Sequence, residues 1–156
     1  MNPNKKVRRL QGLLYTSGVG TILFSLWTGI REIGIFFESL KNMSGFDEGI
    51  ISVRTMKSIL VAIAFLVIFG TAFFYVYIGR SAVQVSQGER KSNVYIVLAA
   101  FIVAISFITY IYEFTSAQSP GWFEAEDIIL FVIDLTSNII LAEVVVYSVL
   151  LKRLRD

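Results

Sequence analysis

Three polar residues interrupt the last long apolar stretch of the chain, and they are the first candidates for chemistry. Asp134, Asn138 and Glu143 lie within residues 128–151, a stretch long enough to cross a bilayer. Carboxyl groups at membrane depth are costly and usually face protein or water, so they mark functional positions by default. We therefore take Glu143, Asp134 and Asn138 as the candidates for partner binding or ion coupling.

The spacing of the two acids places them apart on a helix. At about 100° per residue, Asp134 and Asn138 share one face, whereas Glu143 lies about 180° from Asp134. The two acids are also separated by about 14 Å along the helix axis. A paired-carboxylate active site is therefore not expected. The arrangement predicts protein or water on two sides of this helix, with a second copy or another subunit covering one side.

Arg31 is the candidate counter-charge for Asp134. Both residues lie at a similar depth from the same end of the bundle, provided that the first helix continues to Phe37. We predict a buried or half-buried ion pair between them, with Glu32 or Glu113 as competitors for Arg31. This ion pair either stabilises the packing of the two helices or forms part of a functional site.

Glu143 has no basic residue at its predicted depth. Ser17, Thr21 and Thr71 are about level with it and are candidate hydrogen-bond donors. Three readings remain open: a neutral structural acid bonded to hydroxyls, a contact with a partner subunit, and a proton-coupled group. If one of these residues has a functional role, Glu143 is the one that we favour.

Composition excludes several kinds of site. The chain has no cysteine and no histidine, which removes thiolate and imidazole metal ligands and histidine-based catalysis. Its formal charge of +2 is too small to suggest nucleic-acid binding. Lys91-Ser92 follows the lone Gly88, which does not match the spacing of a phosphate-binding loop. We expect no enzymatic activity, cofactor, metal or nucleic-acid partner.

Hydropathy predicts an all-α integral membrane protein, a bundle of four transmembrane helices forming a single transmembrane domain over residues 1–156. Hydrophobic residues make up 55% of the chain, and the mean hydropathy is +0.68. The predicted spans are about 10–30 (or to 37), 58–79, 94–114 and 128–151. Residues 31–41 either extend the first helix or form an interfacial helix, and residues 80–93 form a connection.

Charge placement predicts that both termini are cytoplasmic. Positive residues concentrate on the cytoplasmic side of membrane proteins. Ten of the fourteen lysines and arginines lie in the N-terminal tail, the second connection and the C-terminal tail, and the other four lie on the opposite side. The expected location is a bacterial-type plasma membrane with the termini inside.

Small residues form one stripe of the first helix. Ser17, Thr21, Ser25 and Gly29 recur at intervals of four, and small stripes let transmembrane helices approach closely. We predict that this stripe is a packing face.

These features favour a non-enzymatic membrane subunit or accessory protein that docks a partner through its helices. Its expected partners are the lipid bilayer and other membrane subunits or further copies of itself. The alternative is a small oligomeric transporter or channel that couples cations or protons to an intramembrane carboxylate. The discriminating feature is whether the acids of the fourth helix meet a partner or an ion.

Overall fold

The computed structural model describes residues 3–42, 53–116 and 125–154, which fold into four α-helices. They are α1 (Pro3–Asn42), α2 (Val53–Ser86), α3 (Val94–Ser116) and α4 (Ala125–Arg153). Each contains a stretch that is long and apolar enough to cross a membrane. The predicted all-helical class with four candidate membrane spans is confirmed, and the side on which the termini lie stays a prediction.

α1 is much longer than one membrane crossing needs. Its 40 residues rise about 60 Å at 1.5 Å per residue, twice the thickness of a hydrocarbon core of about 30 Å. The helix is unbroken from Arg31 to Lys41. This stretch therefore extends α1, and it does not form a separate interfacial helix.

α2 also continues beyond its predicted end at Gly79. Residues 80–86, which the sequence assigned to a connection, are helical because Ser81 and Ala82 are buried, with Ala82 lying beside α1. The helix ends at Ser86, and Gly88 follows with a φ of 104°. Glycine adopts this left-handed conformation without steric strain, so Gly88 is the residue that ends the helical path.

α1 and α2 approach most closely at Gly18 and Gly79. A Cβ atom at Gly18 would lie 2.9 Å from the carbonyl oxygen of Gly79. A Cβ atom at Gly79 would lie 2.6 Å from the carbonyl oxygen of Gly18. Gly79 is therefore required by the helix crossing, where any side chain would force the two backbones apart.

The predicted small stripe of α1 packs against the rest of the bundle. Ser17, Thr21 and Ser25 are all buried, which confirms a packing face along this part of the helix. Gly29 lies beyond the close contact, because a Cβ atom there would meet nothing within 4 Å.

The buried core lies in the half of the bundle that contains the first turns of α1 and the last turn of α4, which we call the terminal half. Lys6 and Arg153 border the same pocket there, so these two helix ends lie together. In the opposite, distal half, no residue of α2 between 58 and 74 and none of α3 between 100 and 112 is buried. The helices thus pack closely in the terminal half and separate in the distal half. The core residues are Leu10, Leu14, Tyr75, Ile78, Ala82, Tyr95, Ala99, Leu141, Val144 and Leu151.

Candidate binding cleft

A cleft of about 1000 Å³ occupies the distal half, where α2 separates from α3 and α4. All four helices contribute to its lining. Aromatic and aliphatic side chains such as Phe74, Phe107 and Phe131 form much of the surface, and polar groups converge on it from α1, α3 and α4. A largely apolar concavity with a few placed polar groups is the usual form of a binding site.

Arg31 and Asp134 form an ion pair in the wall of the distal cleft. The Arg31 Nη1 group donates a hydrogen bond to Asp134 Oδ2. The side chains are 39% and 18% exposed respectively, so the pair is half-buried. This is the pairing that the sequence predicted, and it joins α1 to α4 in the distal half.

Glu32 and Glu113 are the two acids predicted to compete for Arg31, and the structure describes the side chain of Glu32 alone. Glu32 lines the distal cleft without forming a salt bridge to Arg31. The side chain of Glu113 lies outside the described part of the chain. Arg31 reaches Asp134 because α1 continues as a helix well past residue 30, which holds the guanidinium group inside the bundle.

Asn138 joins α4 to α3. Its Nδ2 group donates to Tyr110 Oη at 2.7 Å and to the backbone carbonyl oxygen of Asp134 at 2.9 Å. A carbonyl oxygen only accepts hydrogen bonds, so Nδ2 must face Asp134. Oδ1 is then enclosed with no hydrogen-bond partner among the described residues. An enclosed acceptor in this state costs about 1–3 kcal/mol, so Asn138 leaves one polar group of the cleft wall unsatisfied.

Glu143 lies away from the distal cleft, between α4 and α1. The Ser17 hydroxyl donates to Glu143 Oε2 at 2.7 Å. The other two candidate donors are used within their own helices, since Thr21 donates to the Ser17 carbonyl and Thr71 to the Val67 carbonyl. Ser17 is therefore the hydroxyl that meets Glu143.

Both acids of α4 contact α1, which corrects the expectation that they face separate surroundings. Asp134 meets Arg31 and Glu143 meets Ser17, although the acids lie on opposite faces of α4. Because α1 crosses α4 and the side chains of Arg31 and Glu143 are long, α1 contacts acids on both of these faces of α4. The acids therefore give no reason to place a second copy or another subunit beside α4.

Tyr110 and the distal cleft itself were not identified from the sequence as parts of a site. Tyrosine is common at membrane interfaces, so the position of Tyr110 near the end of a predicted span did not by itself indicate a site. The available signal was the four-residue spacing of Ser106 and Tyr110 on α3, which places two polar groups on one face; both line the cleft.

The described residues contain no group of three or more acidic, histidine or cysteine side chains close enough to hold a metal ion. Comparisons with protein-family models, with curated proteins and with solved structures find no match to this chain. Its function must therefore be argued from the geometry of the distal cleft and from the contacts of the polar residues around it.

Proposed function

We propose that this protein is a non-enzymatic membrane subunit that receives a transmembrane helix of a partner protein in the distal cleft. The observation that carries the proposal is the separation of α2 from α3 beside a polar wall. Phe74 and Phe107 line the cleft and remain exposed, while the terminal half of the same helices is packed. A partner helix would bury these side chains.

The surroundings and the volume of the distal cleft favour a helix as its occupant. A polypeptide at membrane depth must satisfy its own backbone hydrogen bonds, and a single segment does this as a helix. A helix with its side chains is about 11 Å wide and rises about 11 Å in two turns, which corresponds to about 1000 Å³. The cleft volume is of the same order, so it has room for about two turns of a partner helix.

In this proposal, Asn138 and the apolar walls of the cleft recognise the partner helix. Asp134 and Glu143 already have partners within the chain, whereas Asn138 Oδ1 has none among the described residues. A shift of the Asn138 side chain on docking would bring this enclosed oxygen to a hydrogen-bond donor on the partner helix, such as a serine or threonine hydroxyl. Hydrogen bonds between transmembrane helices contribute about 0.6 kcal/mol on average, so the apolar walls supply most of the affinity.

The distribution of basic residues supports an orientation with both termini in the cytoplasm of a bacterial-type plasma membrane. Ten of fourteen lie on the side of the termini, as the sequence predicts. The distal cleft then opens in the half of the bilayer away from the cytoplasm. A partner helix would enter it laterally from the membrane.

A photocrosslinking amino acid in place of Phe107 tests the proposal in native membranes. Phe101 on the same helix is the matched control, because it is similarly exposed (62% against 60%) but does not line the distal cleft. We expect position 107 to form an adduct of defined mass with a partner peptide, identified by mass spectrometry, and position 101 to form none. Adding Asn138→Leu should reduce the yield of that adduct.

Adducts with lipid alone at position 107, or the same protein adducts at both positions, would contradict helix docking. That result would favour the second candidate, a small transporter or channel. Two observations make it the second candidate: the cleft volume is within the range of small-molecule sites, and an ion pair lies in the wall. In that case the Arg31–Asp134 pair would exchange its partners with the charged groups of a substrate.

A further inference from the structure

A second pocket lies at the end of the terminal half, between the first turns of α1 and the last turn of α4. Its volume is about 450 Å³. Three basic side chains and four leucines form its lining, and no acidic side chain of the described residues takes part. We call it the basic pocket; its lining residues are Lys6, Arg9, Leu10, Leu13, Leu150, Arg153 and Leu154.

The basic pocket has charge at its rim and apolar surface deeper in the bundle. Lys6 and Arg9 precede Leu13 on one face of α1, and Lys6 lies about 10 Å nearer the helix end than Leu13. On α4 the order is reversed, because Leu150 precedes Arg153, the last helical residue. Two antiparallel helices thus place their cations at the same level, with Leu13 and Leu150 further in and Leu154 beside the cations at the rim.

The three cations of the basic pocket have no acidic partner within the part of the chain that the structure describes. Among the described residues, no carboxylate lies within salt-bridge distance of Lys6, Arg9 or Arg153. All three are exposed at the rim of one pocket, and like charges brought together repel one another. An anion bound between them would relieve this repulsion. It would contact both helices, because Lys6 and Arg9 belong to α1 and Arg153 belongs to α4.

We propose that the basic pocket binds an anionic phospholipid, with its phosphate among Lys6, Arg9 and Arg153 and its acyl chain along the leucines. Basic pockets between transmembrane helices are recognised sites for acidic headgroups. The leucine floor selects a lipid over free phosphate, because a soluble anion gains nothing from Leu13 or Leu150. A zwitterionic headgroup is disfavoured, since its own cation would approach the basic rim. This site is separate from the distal cleft and does not depend on the proposed function.

Native mass spectrometry of the full-length protein tests the assignment, with phosphatidylglycerol and phosphatidylcholine supplied separately. The test variant is Lys6→Gln/Arg9→Gln. The matched control is Lys5→Gln/Arg8→Gln, which removes the same charge from exposed positions of the same turns outside the basic pocket. We expect the test variant to lose about 30-fold in affinity for phosphatidylglycerol and the control to change by less than about threefold.

Arg153→Gln provides a second variant on the other helix, should the double variant fail to fold. It should lower phosphatidylglycerol affinity about fivefold, with the helical content unchanged by circular dichroism. Equal losses in the test and control pairs, or equal binding of both lipids, would overturn the proposal. Displacement of phosphatidylglycerol by inorganic phosphate, beyond that caused by chloride at equal ionic strength, would overturn the assignment to a lipid.

Discussion

At the scale of single residues, two polar contacts hold α4 against α1, and they differ in kind. Arg31 and Asp134 are opposite charges with incomplete burial, whereas Ser17 and Glu143 form a hydroxyl–carboxyl hydrogen bond. Removing one member of a half-buried ion pair leaves the other charged and partly desolvated, so truncation costs more than the net value of the pair. Exchange of the two charges preserves the attraction and should preserve most of the stability.

Asp134→Ala and Arg31→Ala should each lower the free energy of unfolding by about 1–2 kcal/mol, because each removes the attraction between the two charges. The double exchange Arg31→Asp/Asp134→Arg should recover most of the loss of the corresponding single variants. Denaturation in mixed micelles gives the values for all variants. Glu32→Ala is the control, since Glu32 lines the distal cleft without a salt bridge to Arg31, and its effect should be small. Additive losses in the double exchange would show that the pair contributes nothing.

At the scale of the helices, the crossing of α1 and α2 sets how the bundle is built. The two helices touch backbone to backbone at Gly18 and Gly79, and this contact also keeps residues 80–86 helical beyond it. Lipid tails are as apolar as the helix surfaces, so close van der Waals packing, rather than the hydrophobic effect, drives association inside a membrane. The glycine contact is therefore a major source of the stability of this pair.

Gly79→Ala should lower the free energy of unfolding by about 1–3 kcal/mol, because the new Cβ atom would lie 2.6 Å from a backbone oxygen and overpack the crossing. Gly70→Ala on the same helix is the control, since a Cβ atom there meets nothing within 4 Å. It should leave stability unchanged or raise it by up to about 1 kcal/mol, because alanine is the better helix former. Equal effects at the two glycines in mixed-micelle denaturation would exclude a special role for the crossing.

At the scale of the whole molecule, the bundle is closed at one end and open at the other. The core lies in the terminal half, and the distal cleft lies where α2 leaves α3. Polar contacts tie α4 to α1 and to α3 beside the cleft, through Asp134 and Asn138. Without a partner helix in it, a cavity of this volume with polar groups in its wall admits water, whereas the outer surfaces of membrane-spanning helices face lipid.

In the purified protein, with no partner helix in the cleft, Ser106→Cys should react readily with a charged, membrane-impermeant thiol reagent, whereas Ile108→Cys on the same helix should react slowly. Ser106 lines the distal cleft, and the highly exposed Ile108 does not. The thiolate is the reactive form, and it forms in water rather than in hydrocarbon. The chain has no cysteine of its own, so each variant carries a single thiol and the labelling rates compare directly. Similar rates at both positions would mean that the cleft is not filled with water.

The sequence by itself determined the number and kind of the helices. Each apolar stretch of about twenty residues must satisfy its backbone hydrogen bonds locally in lipid, so length and hydropathy are enough to predict a span. The sequence also predicted the Arg31–Asp134 pair, because depth along a helix follows from counting residues and needs no knowledge of packing. The small stripe of α1 was predictable for the same reason, since it depends only on helical spacing.

Only the tertiary structure decided how the helices cross and where they separate. The end of α2 could not be placed at Ser86 from local sequence, because burial of Ala82 beside α1 keeps the intervening turns helical. The partner of Glu143 and the existence of the distal cleft depend on the crossing angles of α1, α2 and α4. These angles result from contacts between residues far apart in the chain, such as Gly18 with Gly79, and no local pattern encodes them.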